Sequence, residues 1–166
     1  MAMKVNSGKM NEYRRNLGEI WNNLTDFLDR NNIRNFSIWN AEDLIFIYCE
    51  SDDGLKLSEI ETEAVKEMAG KFDGTFTWIS PPGENMRLMY EDFGIVRENK
   101  ELIRHRMFMT KLKPGCEEEY KARHDVLAAQ RGGVPDPGPD SNFSIWSAGG
   151  YIFGYDEIDT TMEVEE

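Results

Sequence analysis

Asn35-Phe36-Ser37-Ile38-Trp39 and Asn142-Phe143-Ser144-Ile145-Trp146 are the same five residues, 107 positions apart. Holding that offset with no gap brings further identities into line. Gly8 meets Gly115, Glu12 meets Glu119 and Tyr13 meets Tyr120. Ala41 meets Ala148, Ile45-Phe46 meets Ile152-Phe153, Tyr48 meets Tyr155 and Glu50 meets Glu157. Across residues 8–50, 14 of 43 positions are identical under this one shift, which composition alone does not produce. A period this long does not fit a solenoid, whose units run to roughly 20–50 residues. It reads as a small domain copied once within 166 residues.

The first copy predicts a strand over 1–5, a turn at Asn6-Ser7-Gly8 and a helix over 9–30. Tyr13, Leu17, Ile20, Trp21, Leu24, Phe27 and Leu28 make one apolar stripe on that helix. Alternation predicts strands at 34–40 and 44–50, joined as a hairpin through Ala41-Glu42-Asp43. A second helix is expected over 58–71, with Ser58 as N-cap and Glu61 closing a capping box, and a fourth strand over 86–96. Strand, helix, strand, strand, helix, strand is the ferredoxin-like βαββαβ plan of an α+β fold. The second copy starts with a strand at 103–112 and a helix at 116–131. Residues 132–140 hold three prolines and three glycines and cannot continue that helix. The hairpin returns at 143–146 and 151–156. The expected units are 1–98 and 99–166, the second lacking its last helix and strand.

Charge narrows the partners. With 19 Lys and Arg against 31 Asp and Glu, the net charge is -12, and no Lys or Arg follows Arg131. Such a surface repels nucleic acid and anionic membranes. No apolar run approaches the ~18 residues of a membrane span, and the start does not read as a signal peptide. Cys49 and Cys116, with only two histidines, make no zinc pattern; free thiols in a reducing cytoplasm are the expectation.

The second helix motif reads Glu119-Tyr120-Lys121-Ala122-Arg123-His124, after the turn Lys113-Pro114-Gly115. The first copy supplies Glu12-Tyr13-Arg14-Arg15, Ile20-Trp21 and the Asn35–Trp39 strand. This ordered set resembles the L-rhamnose mutarotase family, over residues 3–96 and again over 103–157. The resemblance implies ferredoxin-like units paired as a dimeric α/β barrel, here duplicated in one chain. It implies a cytoplasmic, cofactor-free isomerase acting on a deoxy-hexose such as L-rhamnose, without a metal, with a homodimer as one arrangement open to it. Residue by residue, it gives the catalytic roles to Tyr120 and His124. It gives substrate contacts to Tyr13, Trp21, Phe76, Trp78 and Arg123. Leu17 stands where the first copy would carry the His, and Ala128 where the second would carry a Trp.

The chemistry suits these residue types. Mutarotation needs a base for the anomeric hydroxyl and an acid for the ring oxygen. Histidine, near pKa ~6.5, moves protons both ways at neutral pH. Tyr120 and His124 stand four apart, on one helical face. Aromatic rings stack on the C–H face of a sugar. The substituted positions Leu17 and Ala128 keep an alternative in view, a non-catalytic module that binds a sugar or a protein.

Overall fold

The structure is a computed structural model that describes residues 1–51, 63–95, 97 and 99–163. The chain divides into two compact units, Met1–Met86 and Arg87–Glu166. Each contains one four-stranded antiparallel sheet. The capping box at Ser58 and Glu61 lies outside the described residues.

The first unit is built from β1 (Ala2–Val5), α1 (Met10–Arg30), β2 (Arg34–Ala41), β3 (Leu44–Glu50), α2 (Glu63–Gly70) and β4 (Phe76–Trp78). Its sheet runs β2-β3-β1-β4, the ferredoxin-like order. Tyr13, Ile20, Phe27 and Leu28 of α1 are buried, as the periodic stripe requires. The helix stops at Asn31-Asn32, where the Asn31 side-chain amide donates to the Phe27 carbonyl and Asn32 turns to φ +52°. One core cluster joins Ile20, Phe27, Leu28, Ile33 and Met68; a second joins Met3, Val5, Tyr13 and Ile45.

The second unit follows as β5 (Arg87–Gly94), β6 (Ile103–Lys111), α3 (Glu117–Arg131), β7 (Asp140–Ala148) and β8 (Tyr151–Asp159). Its sheet runs β5-β7-β8-β6. Met89, Ile145 and Ile152 form the buried centre, flanked by Tyr90, Leu112, Tyr120 and Phe143. α3 ends at Gly132 in the left-handed region, φ +59°, ahead of the proline-rich loop.

Two expectations change here. The fourth strand of the first sheet is Phe76–Trp78, in register with β1 through Met3–Trp78 and Val5–Phe76. The strand expected there, around residues 86–96, is β5, and it pairs with β7 from Arg87–Ser147 to Gly94–Ser141. Met89 is the reason: its side chain is nearly inaccessible and packs on Ile145 and Ile152. The division therefore falls at 86/87 and not at the expected 98/99.

The two hairpins share details beyond sequence identity. Asn35 and Asn142 both take positive φ, +48° and +49°, at a bulge in the strand. The Trp39 indole donates to Ser37 Oγ at 2.8 Å, and the Trp146 indole to Ser144 Oγ at 2.9 Å. Asn35 Nδ2 and the Tyr48 hydroxyl both donate to Glu50 Oε1. Asn142 Nδ2 and the Tyr155 hydroxyl both donate to Glu157 Oε1. The registers match as well: Ala2–Phe46 and Lys4–Leu44 recur as Met109–Phe153 and Lys111–Tyr151, each shifted by 107.

Candidate functional site

α3 carries the Tyr120–His124 pair, and the structure brings the two rings together with centroids 4.3 Å apart. The helix is held to its sheet at the start. Ser147 Oγ of β7 donates to Glu117 Oε1 at 2.9 Å, and Arg87 of β5 grips both carboxylate oxygens of Glu118. His124 Nδ1 lies 3.0 Å from the Tyr120 carbonyl oxygen. A carbonyl only accepts, so Nδ1 carries the proton and the neutral ring keeps its lone pair on Nε2. Burial raises the Tyr120 phenol above its ordinary value, which keeps it protonated at neutral pH.

Three further rings extend this cluster. Tyr90 of β5 stands 5.2 Å from His124 and 5.7 Å from Phe143 of β7. Phe108 of β6 adds a fourth contact, 6.2 Å from Phe143, and lies directly over Gly154 of β8. Tyr90 also borders a cavity of about 180 Å³ between the strands and the end of α3. Two guanidinium–carboxylate sets face it. Arg131 pairs with Asp92 and with Asp136, and Arg106 pairs with Asp156 at 2.5 Å and Asp140 at 3.2 Å. Burial raises the Asp156 carboxyl above its ordinary value, against the Arg106 hydrogen bond that lowers it. Tyr120 and His124 do not line this cavity; Tyr90 and Phe143 are the residues shared by cluster and cavity.

The other expected residues lie elsewhere. Tyr13 is only 5% exposed, 5.6 Å from Phe72, and burial pushes its phenol up to about 12. Phe76 and Trp78 meet edge to face at 5.3 Å and pack on the Tyr13 core cluster. With Leu17 in the same cluster, side chains fill this part of the first unit. Trp21 is 43% exposed and touches Phe36. Arg123 faces solvent, paired with Glu119 one turn back at 2.6 Å. Hence Tyr13, Phe76 and Trp78 sit together in the core, Trp21 lies outside that cluster, and Arg123 faces solvent on α3.

Sequence reasoning missed Tyr90, Asp92, Arg106, Arg131, Asp140 and Asp156 as site residues. Residues 86–96 are expected as a strand, but nothing in them signals the sheet that strand joins. His105 of β6 lies 2.7 Å from the Tyr155 hydroxyl through Nδ1. Glu157, next in that chain, is fully buried and held by Lys100 at 2.5 Å.

Among the described residues, no group of three or more His, Cys, Asp or Glu is placed to hold a metal ion, and no helix is long and apolar enough to cross a membrane. No curated protein and no solved structure matches the chain. Residues 1–77, within the first unit, match the model of the L-rhamnose mutarotase family.

Proposed function

We propose that the protein is a mutarotase acting on a neutral deoxy-hexose such as L-rhamnose, and that its second unit does the chemistry. One observation carries this: the second unit holds a histidine with Nδ1 anchored on the Tyr120 carbonyl and its ring in tilted contact with two tyrosines. The family match lies in the first unit, where Leu17 replaces the histidine and aromatics fill the interior. We take the second unit to be a copy of the first. The shared 107-residue offset in sequence, register and Asn–Glu–Tyr hydrogen bonding supports that descent.

The step balances without a cofactor. His124 Nε2 takes the proton of the anomeric hydroxyl while the Tyr120 hydroxyl gives its proton to the ring oxygen. The C1–ring-oxygen bond breaks and leaves an open-chain aldehyde. Rotation about C1–C2 turns the other carbonyl face inward. Reclosure returns the ring-oxygen proton to Tyr120 and delivers the proton on His124 to the new anomeric oxygen. The ring reaches His124 and Tyr120 from the cavity beside Tyr90, which borders both the cavity and His124. Tyr90 and Phe143 offer apolar faces, and the Arg106–Asp140 pair offers a donor and an acceptor for hydroxyls. Its four aspartates outweigh its two arginines, which disfavours phosphorylated or acidic sugars. A cytoplasmic enzyme fits this substrate.

Exchange spectroscopy on L-rhamnose anomers tests the proposal. The protein should speed interconversion, and His124→Ala should lose roughly 10²–10⁴-fold, the range of a positioned acid–base group. An unchanged rate in His124→Ala overturns the assignment. The separation of His124 from the cavity lining favours a second reading, a sugar-binding module without turnover. Saturable sugar binding with no acceleration of exchange would establish it.

A further inference from the structure

The cavity beside Tyr90 continues past the Arg131–Asp92 pair into a second lobe of about 250 Å³. The two lobes share Tyr90, Asp92, Gly94 and Arg131, so these residues form the wall between them. That wall is held in place. Arg131 pairs with Asp92, the Gly94 backbone N–H donates to Asp92 Oδ1 at 3.1 Å, and the Tyr90 hydroxyl donates to Asp92 Oδ2 at 3.4 Å. The first lobe, about 180 Å³, and the second each fall short of the roughly 300 Å³ at which small-molecule sites begin; joined, they fall inside that range.

The second lobe owes its far side to the chain that follows α3. Gly132 and Gly133 both stand in the left-handed region, φ +59° and +77°, and turn the chain back from the helix axis. Val134 and Pro135 then line the lobe together with Phe93 of β5. Phe93 is 59% exposed and Val134 69%, so both keep apolar surface free for a ligand. Glu91 and Asp92 bring carboxylates to the same lobe, and Arg131 a guanidinium. An aromatic face beside hydrogen-bonding carboxylates suits a sugar ring, with its C–H face on Phe93 and its hydroxyls donating to Glu91. The two carboxylates outnumber the one guanidinium, which selects a neutral occupant over an anionic one.

We propose that the second lobe binds a second neutral sugar ring, so that the site takes the reducing end of an oligosaccharide and not a monosaccharide alone. The proposal rests on the mutarotase reading for the position of the linkage. Ring opening needs a free anomeric hydroxyl on the ring in the first lobe. The second ring is therefore joined through O2, O3 or O4 of that deoxy-hexose, and the linking oxygen crosses the Asp92–Arg131 wall.

Titration calorimetry of the whole chain tests this, with L-rhamnose and with the three α-L-rhamnosyl-L-rhamnoses joined through O2, O3 or O4. At least one disaccharide should bind about tenfold more tightly than L-rhamnose, the reach of one added aromatic face. Phe93→Ala removes that face and Val134→Trp fills the lobe; each should bring the disaccharide affinity down to that of L-rhamnose. Both should leave L-rhamnose affinity and anomer exchange as in the parent chain, and Phe93→Tyr should keep the disaccharide advantage. Both positions are exposed, so the fold tolerates these changes. Disaccharides that all bind no more tightly than L-rhamnose, or an advantage that survives both Phe93→Ala and Val134→Trp, overturn the proposal. Anomer exchange on L-rhamnose reads the mutarotase assignment separately. Accelerated exchange without a disaccharide advantage removes the second lobe alone, and a disaccharide advantage without acceleration removes the turnover alone.

Discussion

Gly154→Ala is the sharpest probe of how the second unit holds its aromatic cluster. A Cβ built at Gly154 falls 2.7 Å from Phe108 Cδ1, with two further ring carbons closer still. Ordinary contact begins near 3.4 Å, so to clear its nearest carbons the ring must retreat by about 1.4 Å or swing off the sheet. Overpacking of this kind costs about 1–3 kcal/mol. Phe108 is 38% exposed, so it has somewhere to go, which favours the lower half of that range. Swinging away also loses the Phe108–Phe143 contact, about 0.5–1 kcal/mol. The sum is about 2 kcal/mol. Native-state hydrogen exchange of the buried β8 amides reads it, with the chain dilute enough that association does not contribute. They should exchange about 30-fold faster, since 1.4 kcal/mol is tenfold. In a Phe108→Ala background the same substitution meets no ring and should cost less than about 0.5 kcal/mol. Equal acceleration in both backgrounds would refute the packing argument.

Three further outcomes follow from the same geometry. Tyr13 should remain protonated far into alkali, and ultraviolet titration should find one late tyrosine absent from Tyr13→Phe. The raised value means the folded chain holds a proton that the unfolded chain releases above about pH 10. Stability therefore falls from pH 10 to about 12, by about 3 kcal/mol at 1.4 kcal/mol per decade, and the Phe variant should be spared. Arg123→Ala should leave sugar affinity and the urea midpoint unchanged, because its ion pair with Glu119 is on the exposed face of α3. Methyl α-L-rhamnoside, whose anomeric oxygen is blocked, should still bind His124→Ala but bind Asp140→Asn at least tenfold more weakly. Calorimetry checks both, and equal affinity in Asp140→Asn would remove the cavity as the ring site.

Local pattern was legible where the contacts it implies are local. The stripe over 9–30 became α1, and the expected helix at 116–131 became α3 with one residue trimmed from its start. The repeated Asn-Phe-Ser-Ile-Trp strands became β2 and β7, each hairpinned to the next strand as read. What failed was assignment across distance. A strand was expected over residues 86–96, but the choice of β7 as partner is made by Met89 finding Ile145 and Ile152. Tyr90 travels with that strand, so its place beside His124 was invisible for the same reason. Trp21, Phe76 and Trp78 show the converse limit. An aromatic on a stripe reads alike whether it fills a core, lines a pocket or lies on the surface. Only burial tells that Phe76 and Trp78 pack inward and that Trp21 is 43% exposed.

The pairing of β5 with β7 has a consequence during synthesis. Gly94 meets Ser141 and Arg87 meets Ser147, so the two strands are separated by 47 to 60 residues of chain. At about 5–20 residues per second, β5 leaves the ribosome roughly 2–12 seconds before its partner exists. The first sheet can close in that interval, since all its strands precede residue 79. β5 then waits as a solitary strand with Met89 and Tyr90 uncovered, the stretch of nascent chain most in need of a chaperone.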